Sequence, residues 1–256
     1  MRTEMQDGVL TLTFDRPERL NAITTRDLDE TTRAIQRAAD DDAVRVVVLA
    51  GEGRAFCSGA DIGDDSEVSG DAGETIDAAN RLVATIVGCP KVVVARARGV
   101  VAGVGVSIAL AADLVLLDED SYLLLAFTRI GLMPDGGATA LVAASIGRAR
   151  ALRMALLAEK LPAAEALAAG LVTHVWPAAD YDVETARVVD TLRRGPAVAQ
   201  ARTKAAVNAA TLPGLGDAFA REREGQVGLL GARDFAEGTS AFRERRAAQF
   251  SDKIGR

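Results

Sequence analysis

Two short glycine-bearing segments carry the residues best suited to chemistry. They are Phe56-Cys57-Ser58-Gly59-Ala60-Asp61-Ile62 and Gly99-Val100-Val101-Ala102-Gly103-Val104-Gly105-Val106-Ser107. Each follows a run that reads as a buried strand, residues 44–50 before the first and 91–95 before the second. Glycine at a strand end or helix start leaves backbone N–H groups bare. Two such groups aimed at one point stabilise a developing oxyanion. A third segment, Gly131-Leu132-Met133-Pro134-Asp135-Gly136-Gly137-Ala138-Thr139, adds one carboxylate. Oxyanion donors with one acid/base point to proton chemistry at an activated carbonyl.

Other readings stand beside these. Asp135 is either an acid/base or the N-cap of the helical run after it. Ser107 either caps or back-bonds its own helix, or hydrogen-bonds a substrate. Cys57 has no base nearby and reads as a small buried residue, not a nucleophile. His174, beside Trp176 and Pro177, has no indicated carboxylate partner and reads as packing.

The elements that must position these residues follow from periodicity. Residues 9–14 alternate like a strand that ends at Asp15-Arg16-Pro17. Residues 25–39 read as a helix capped by Thr24 or Thr25. Residues 64–73, acidic and small, read as a mobile loop, and 74–87 as a helix with Ile76, Ala79, Leu82, Val83 and Ile86 on one face. Strands are expected at 92–95 and 114–117 around a short buried helix at 105–112. Strand–loop–helix units thus recur without a fixed period. Beyond Gly136 the chain turns helical, at 138–146, 148–157, 163–169, 178–194, 196–211 and 214–250. We read 1–195 as a sheet-containing core and 196–256 as a helical extension.

The chain has 256 residues, 49% of them hydrophobic, enough for one large core. A net charge of −6 argues against a nucleic-acid partner. Cys57, Cys89 and the single histidine give neither a disulfide framework nor metal-ligand spacing, so no metal is expected. Glu4 and Asp7 stand where a signal peptide would be apolar, and the longest apolar stretch, 99–112, is too short for a bilayer. A cytoplasmic location without a membrane partner is the expectation.

Six segments in order resemble the crotonase (enoyl-CoA hydratase/isomerase) superfamily over nearly the whole chain. They are Arg16-Pro17-Glu18-Arg19-Leu20-Asn21-Ala22, residues 53–62, Ala102-Gly103-Val104-Gly105, residues 130–137 (ending Met133-Pro134-Asp135-Gly136-Gly137), residues 164–172 and residues 237–246. The resemblance implies an α/β fold, a crotonase-like (ClpP/crotonase) spiral of ββα units with an α-helical C-terminal extension. It implies a homotrimer or dimer of trimers, with an acyl-CoA thioester as ligand and no cofactor besides the coenzyme A of the substrate. The thioester oxygen would sit between the N–H groups of Ala60 and Val104. The family usually has glycine at the second position, and the valine isopropyl here would narrow the space above it. Substrate contacts would fall to Arg19, Asn21, Ala22, Ser58, Gly59, Asp61, Ile62, Gly103, Phe127 and Leu132. The segment 237–250 would reach a neighbouring subunit, with Arg245 near the CoA 3′-phosphate.

The resemblance also exposes a departure. Hydratases of this superfamily use two glutamates, and the matching positions here are Ser107 and Phe127. Asp135 matches the acid/base of the branch resembling Δ3-Δ2-enoyl-CoA isomerases. A 1,3-proton shift needs one base. Phe127, Val104 and Leu132 around Asp135 would desolvate it and raise its pKa. The expected activity is therefore enoyl-CoA isomerisation. The alternatives are a hydratase with a non-standard acid/base and a non-catalytic acyl-CoA-binding protein, and related dehalogenase, decarboxylase and hydrolase chemistries share the oxyanion hole.

Overall fold

The computed structural model describes residues 1–62 and 73–254. The loop expected at 64–73 lies, apart from Gly73, outside the described residues. β1 (Arg2–Gln6) and β2 (Val9–Phe14) form an antiparallel hairpin closed by Asp7-Gly8, both at positive φ. An Asp-Gly pair suits that turn because its backbone twist matches that of the strands. β1 is exposed along its whole length, which is why no alternating pattern marks it in the sequence. α1 (Thr25–Asp40) follows, with Thr24 and Asp27 capping each other reciprocally.

Three units then repeat one geometry. β3 (Val46–Gly51), β4 (Ala55–Cys57) and α2 (Glu74–Gly88) form the first. β5 (Val92–Ala97), β6 (Val100–Ala102) and α3 (Val104–Ala111) form the second, and β7 (Leu114–Asp118) with β8 (Tyr122–Leu124) opens the third. The first strand of each unit joins a six-stranded sheet, and the second joins a smaller one. The units therefore wind as a spiral, and β4, β6 and β8 lie side by side in parallel. Val47 and Leu49 of β3 face the main core, while Val46 and Val48 face a second cluster with Val92, Val94, Leu116 and Val189. A strand buried on both faces reads as an unbroken apolar run, as 46–49 does.

Downstream lie α4 (Ala138–Leu157), β9 (Leu161–Pro162), α5 (Ala163–Ala169), β10 (His174–Trp176) and α6 (Tyr181–Arg194). α4 breaks at Gly147, where φ is 77° and ψ 165°, so it is two helices, as the sequence indicates. The last elements are α7 (Ala197–Thr211), α8 (Leu215–Leu230) and α9 (Arg233–Glu244). The expected stretch 214–250 is thus two helices parted at Gly231-Ala232.

These helices pack on their own chain. Lys204 Nζ reaches Asp113 Oδ2 at 2.8 Å, tying α7 to the sheet. Leu215 of α8 belongs to the main core. A methyl group on Gly131 would fall 2.7 Å from the Asp234 backbone, and one on Gly238 would fall 2.5 Å from Ile130 Cα. Two glycines thus let α9 lie backbone-to-backbone on the 3-10 turn Phe127–Ile130. Arg243 Nη2 also donates to Ile62 O at 3.1 Å. Within the chain, Gly238 in the segment 237–250 thus packs on the turn 127–130.

Candidate active site

The three candidate segments follow β4, β6 and β8, so the parallel small sheet gathers them at one edge, outside its carboxyl ends. The first, 58–62, is held against the 16–23 turn. Ile23 N donates to Gly59 O, and Asp61 N to Ile23 O, both at 2.9 Å. Asn21 is 1% exposed and spends its side chain on backbone. Its Oδ1 accepts from Arg16 N, and its Nδ2 donates to Glu52 O and Ala55 O. The Asn21 side chain therefore fastens this wall to the backbone of residues 16, 52 and 55. Ala22 O accepts from Arg16 Nη1, and Ser58 Oγ donates to Arg19 O. Arg16 and Arg19 flank the Asp61 carboxylate at 2.8 and 3.8 Å. Ala60 itself is exposed.

The second segment begins at Gly103, whose φ of 54° and ψ of −132° suit glycine alone. A methyl group there would sit 3.2 Å from Gly59 Cα, so the two glycines abut. That contact sets Ala60 and Val104 beside each other. Neither N–H makes a backbone hydrogen bond among the described residues. Val104 opens α3, where unpaired amides and the helix dipole favour negative charge. Its side chain is 5% exposed and faces Gly136, whose added methyl would lie 3.4 Å from Val104 Cγ2. The isopropyl group packs against the turn that carries Asp135.

The third segment brings Asp135 onto α3. Ser107 is fully buried and donates its hydroxyl to Asp135 O at 2.7 Å, so it neither caps nor back-bonds its helix. The Asp135 side chain caps nothing. The amides of Gly137 and Thr139, and the Thr139 hydroxyl, donate instead to Glu222 of α8. Asp135 Oδ2 accepts from Gln226 Nε2 at 3.0 Å, and Oδ1 is buried without a partner among the described residues. Burial pushes its pKa up from 3.8 to about 7, Gln226 pulls it down and the charge of Glu222 pushes it up. Phe127, Leu132 and Val104, each under a tenth exposed, belong to the same core cluster. Two amides without backbone partners and one buried carboxyl with a raised pKa thus stand on segments gathered at one edge.

The enoyl-CoA hydratase/isomerase family model matches residues 4–253. The chain belongs to the enoyl-CoA hydratase/isomerase family. A probable enoyl-CoA hydratase of Rhodobacter capsulatus is 39% identical over 99% of this chain and 98% of its own. A 1,2-epoxyphenylacetyl-CoA isomerase of Escherichia coli is 33% identical over 98% of both chains. The crystal structure of an enoyl-CoA hydratase from Mycobacterium avium subsp. paratuberculosis is 50% identical, covers 98% of each chain and has a TM-score of 0.93.

Within this hydratase/isomerase scaffold, sequence reasoning missed Glu222 and Gln226. Both are nearly inaccessible, at 1% and 2% exposure, on a helix whose composition reads as charged surface. Their one local signal is the spacing of four, which places both on one helix face. Cys57 is buried and its thiol is pushed up to about 12 by desolvation, which keeps it protonated and inert. His174 is exposed and stacks on Trp176. Among the described residues no helix is long and apolar enough to cross a membrane.

Proposed function

We propose that this enzyme shifts the double bond of an enoyl-CoA thioester by a 1,3-proton transfer, with Asp135 as the single acid/base. The observation that carries the reading is the Asp135 carboxyl itself, buried, titrating near neutrality, and with Oδ1 unpartnered. The thioester oxygen accepts from Ala60 N–H and Val104 N–H. Asp135 Oδ1 takes a proton from C2 of a 3-enoyl thioester, and the electron pair spreads over the oxygen and C4. The same carboxyl returns the proton to C4, so the double bond moves from C3–C4 to C2–C3 and no atom is gained or lost. A base with a pKa near the working pH can both take and return a proton. The name of one relative, a trans-2-decenoyl-[acyl-carrier-protein] isomerase of Streptococcus mutans, accords with isomerisation of an enoyl thioester on this scaffold.

Hydration needs a second group to orient and deprotonate water. Phe127 carries no such group, and the Ser107 hydroxyl is already spent on Asp135 O. The test is incubation with 2-enoyl- and 3-enoyl-CoA in D2O, with products read by mass and NMR. Deuterium at C2 or C4 without added water supports the reading. Hydration of crotonyl-CoA at an ordinary enzyme turnover, about 10 s⁻¹ or more, overturns it.

A further inference from the structure

We propose that Gln226 is the positioning residue of this site, holding Asp135 Oδ2 as an acceptor and leaving Oδ1 as the only oxygen that exchanges a proton with substrate. The inference rests on the reading of Asp135 as acid/base and extends it to α8, more than ninety positions along the chain.

Met133 N–H can only donate, and it donates to Gln226 Oε1 at 3.0 Å. That contact decides which way the amide points, so the NH2 group must face Asp135 Oδ2, at 3.0 Å. An NH2 group can only donate. Oδ2 must therefore offer a lone pair whether or not Asp135 is protonated. A carbonyl oxygen is the stronger acceptor, which leaves the proton to Oδ1, the oxygen without a partner among the described residues. Gln226 is 2% exposed, so water does not compete for either bond. The charged group facing Asp135 is Glu222, one helical turn back on α8, and Arg221 faces Glu222 in turn. α3 presents Val104 and Ser107 to this loop, and the 3-10 turn contributes Phe127, none of them charged.

Asymmetric carboxyl protonation matters because a base that can present either oxygen loses part of its orientation. Holding one oxygen keeps the other in the geometry the reaction needs. The experiment compares wild type, Gln226→Glu, Gln226→Leu and Asp135→Asn. The pH profile of kcat/KM for 3-enoyl-CoA isomerisation is recorded beside a carboxyl NMR titration of protein labelled with 13C at aspartate Cγ. Gln226→Glu keeps an acceptor for Met133 N–H and nearly the same shape. It replaces the donor to Asp135 with a second carboxyl that must share a proton. The acidic limb and the Asp135 NMR midpoint should both move up by about one pH unit or more. Gln226→Leu should move them the same way and lower kcat more than it raises KM. A loss of thermal stability with limb and midpoint unmoved in Gln226→Glu overturns the inference. Undiminished turnover in Asp135→Asn sinks the acid/base reading instead, while the NMR midpoint still reports whether Gln226 governs the carboxyl.

Discussion

Ser107 donates its hydroxyl to the backbone carbonyl of Asp135 across 2.7 Å, in a place that water does not reach. This bond joins the first turn of α3, where we propose one oxyanion donor, to the turn that carries the carboxylate. The two halves of the proposed chemistry are therefore one rigid unit.

Ser107→Ala removes one of two donors to the Asp135 carbonyl and leaves Ala138 N–H, at 3.2 Å. Loss of one such bond costs about 0.5–1.5 kcal/mol. Chemical denaturation should show that loss, with an unchanged slope against denaturant. An unchanged midpoint would mean that the turn is held by other contacts.

Asp135→Asn should lower isomerase turnover by about 10²- to 10⁴-fold, with CoA affinity altered only a few-fold. Stability should respond in a pH-dependent way. Asp135 has a pKa of about 7 in the folded chain against the ordinary 3.8. The native state therefore binds more protons than the unfolded chain between these values, and stability from this group falls as pH rises from about 4 to about 7. The variant escapes that fall. Melting temperatures across pH 4 to 8 should diverge in its favour as pH climbs, and parallel curves would contradict the raised pKa.

Gly103→Val should cost more in turnover than in stability. The backbone there has φ 54°, and the new side chain would press on Gly59, 3.2 Å away. Relief of that contact turns the Val104 or Ala60 amide aside. Loss of one oxyanion donor removes about 3–4 kcal/mol of transition-state stabilisation. Normal kinetics in a folded Gly103→Val protein would place the oxyanion donors elsewhere.

Arg245 closes the C-terminal end of α9 and makes no ion pair among the described residues, whereas Arg246 is engaged by Glu237 and Glu244. Its neighbour Arg243 reaches Ile62 O at 3.1 Å. Arginine meets phosphate with a bidentate fork. Arg245→Ala should weaken CoA binding by about 1–2 kcal/mol at low salt, and less for dephospho-CoA. Equal losses for both ligands exclude a 3′-phosphate contact. Light scattering on the same samples should give a trimer mass or twice that, and a monomer mass would refute the assembly that the resemblance implies.

Much of the site's raw material is local and so legible in the chain. Glycine at 59 and 103, the apolar run 46–49 and the Thr24–Asp27 capping box each express a preference that a few neighbouring residues decide. The break at Gly147 and the helix start at Pro162 are of the same kind. The family resemblance rests on such short segments in order. Which residues touch Asp135 is not local. Glu222 occupies the helix-cap role that the sequence left open to Asp135, and Gln226 sets the carboxyl's free oxygen. Ser107, readable as a helix cap, instead spans to a turn 28 residues away. The reason is physical: spacing along a chain determines which face of its own element a residue occupies. The partner it meets, and with it the pKa of a buried carboxyl, is decided only when α3, α4 and α8 pack together and exclude water.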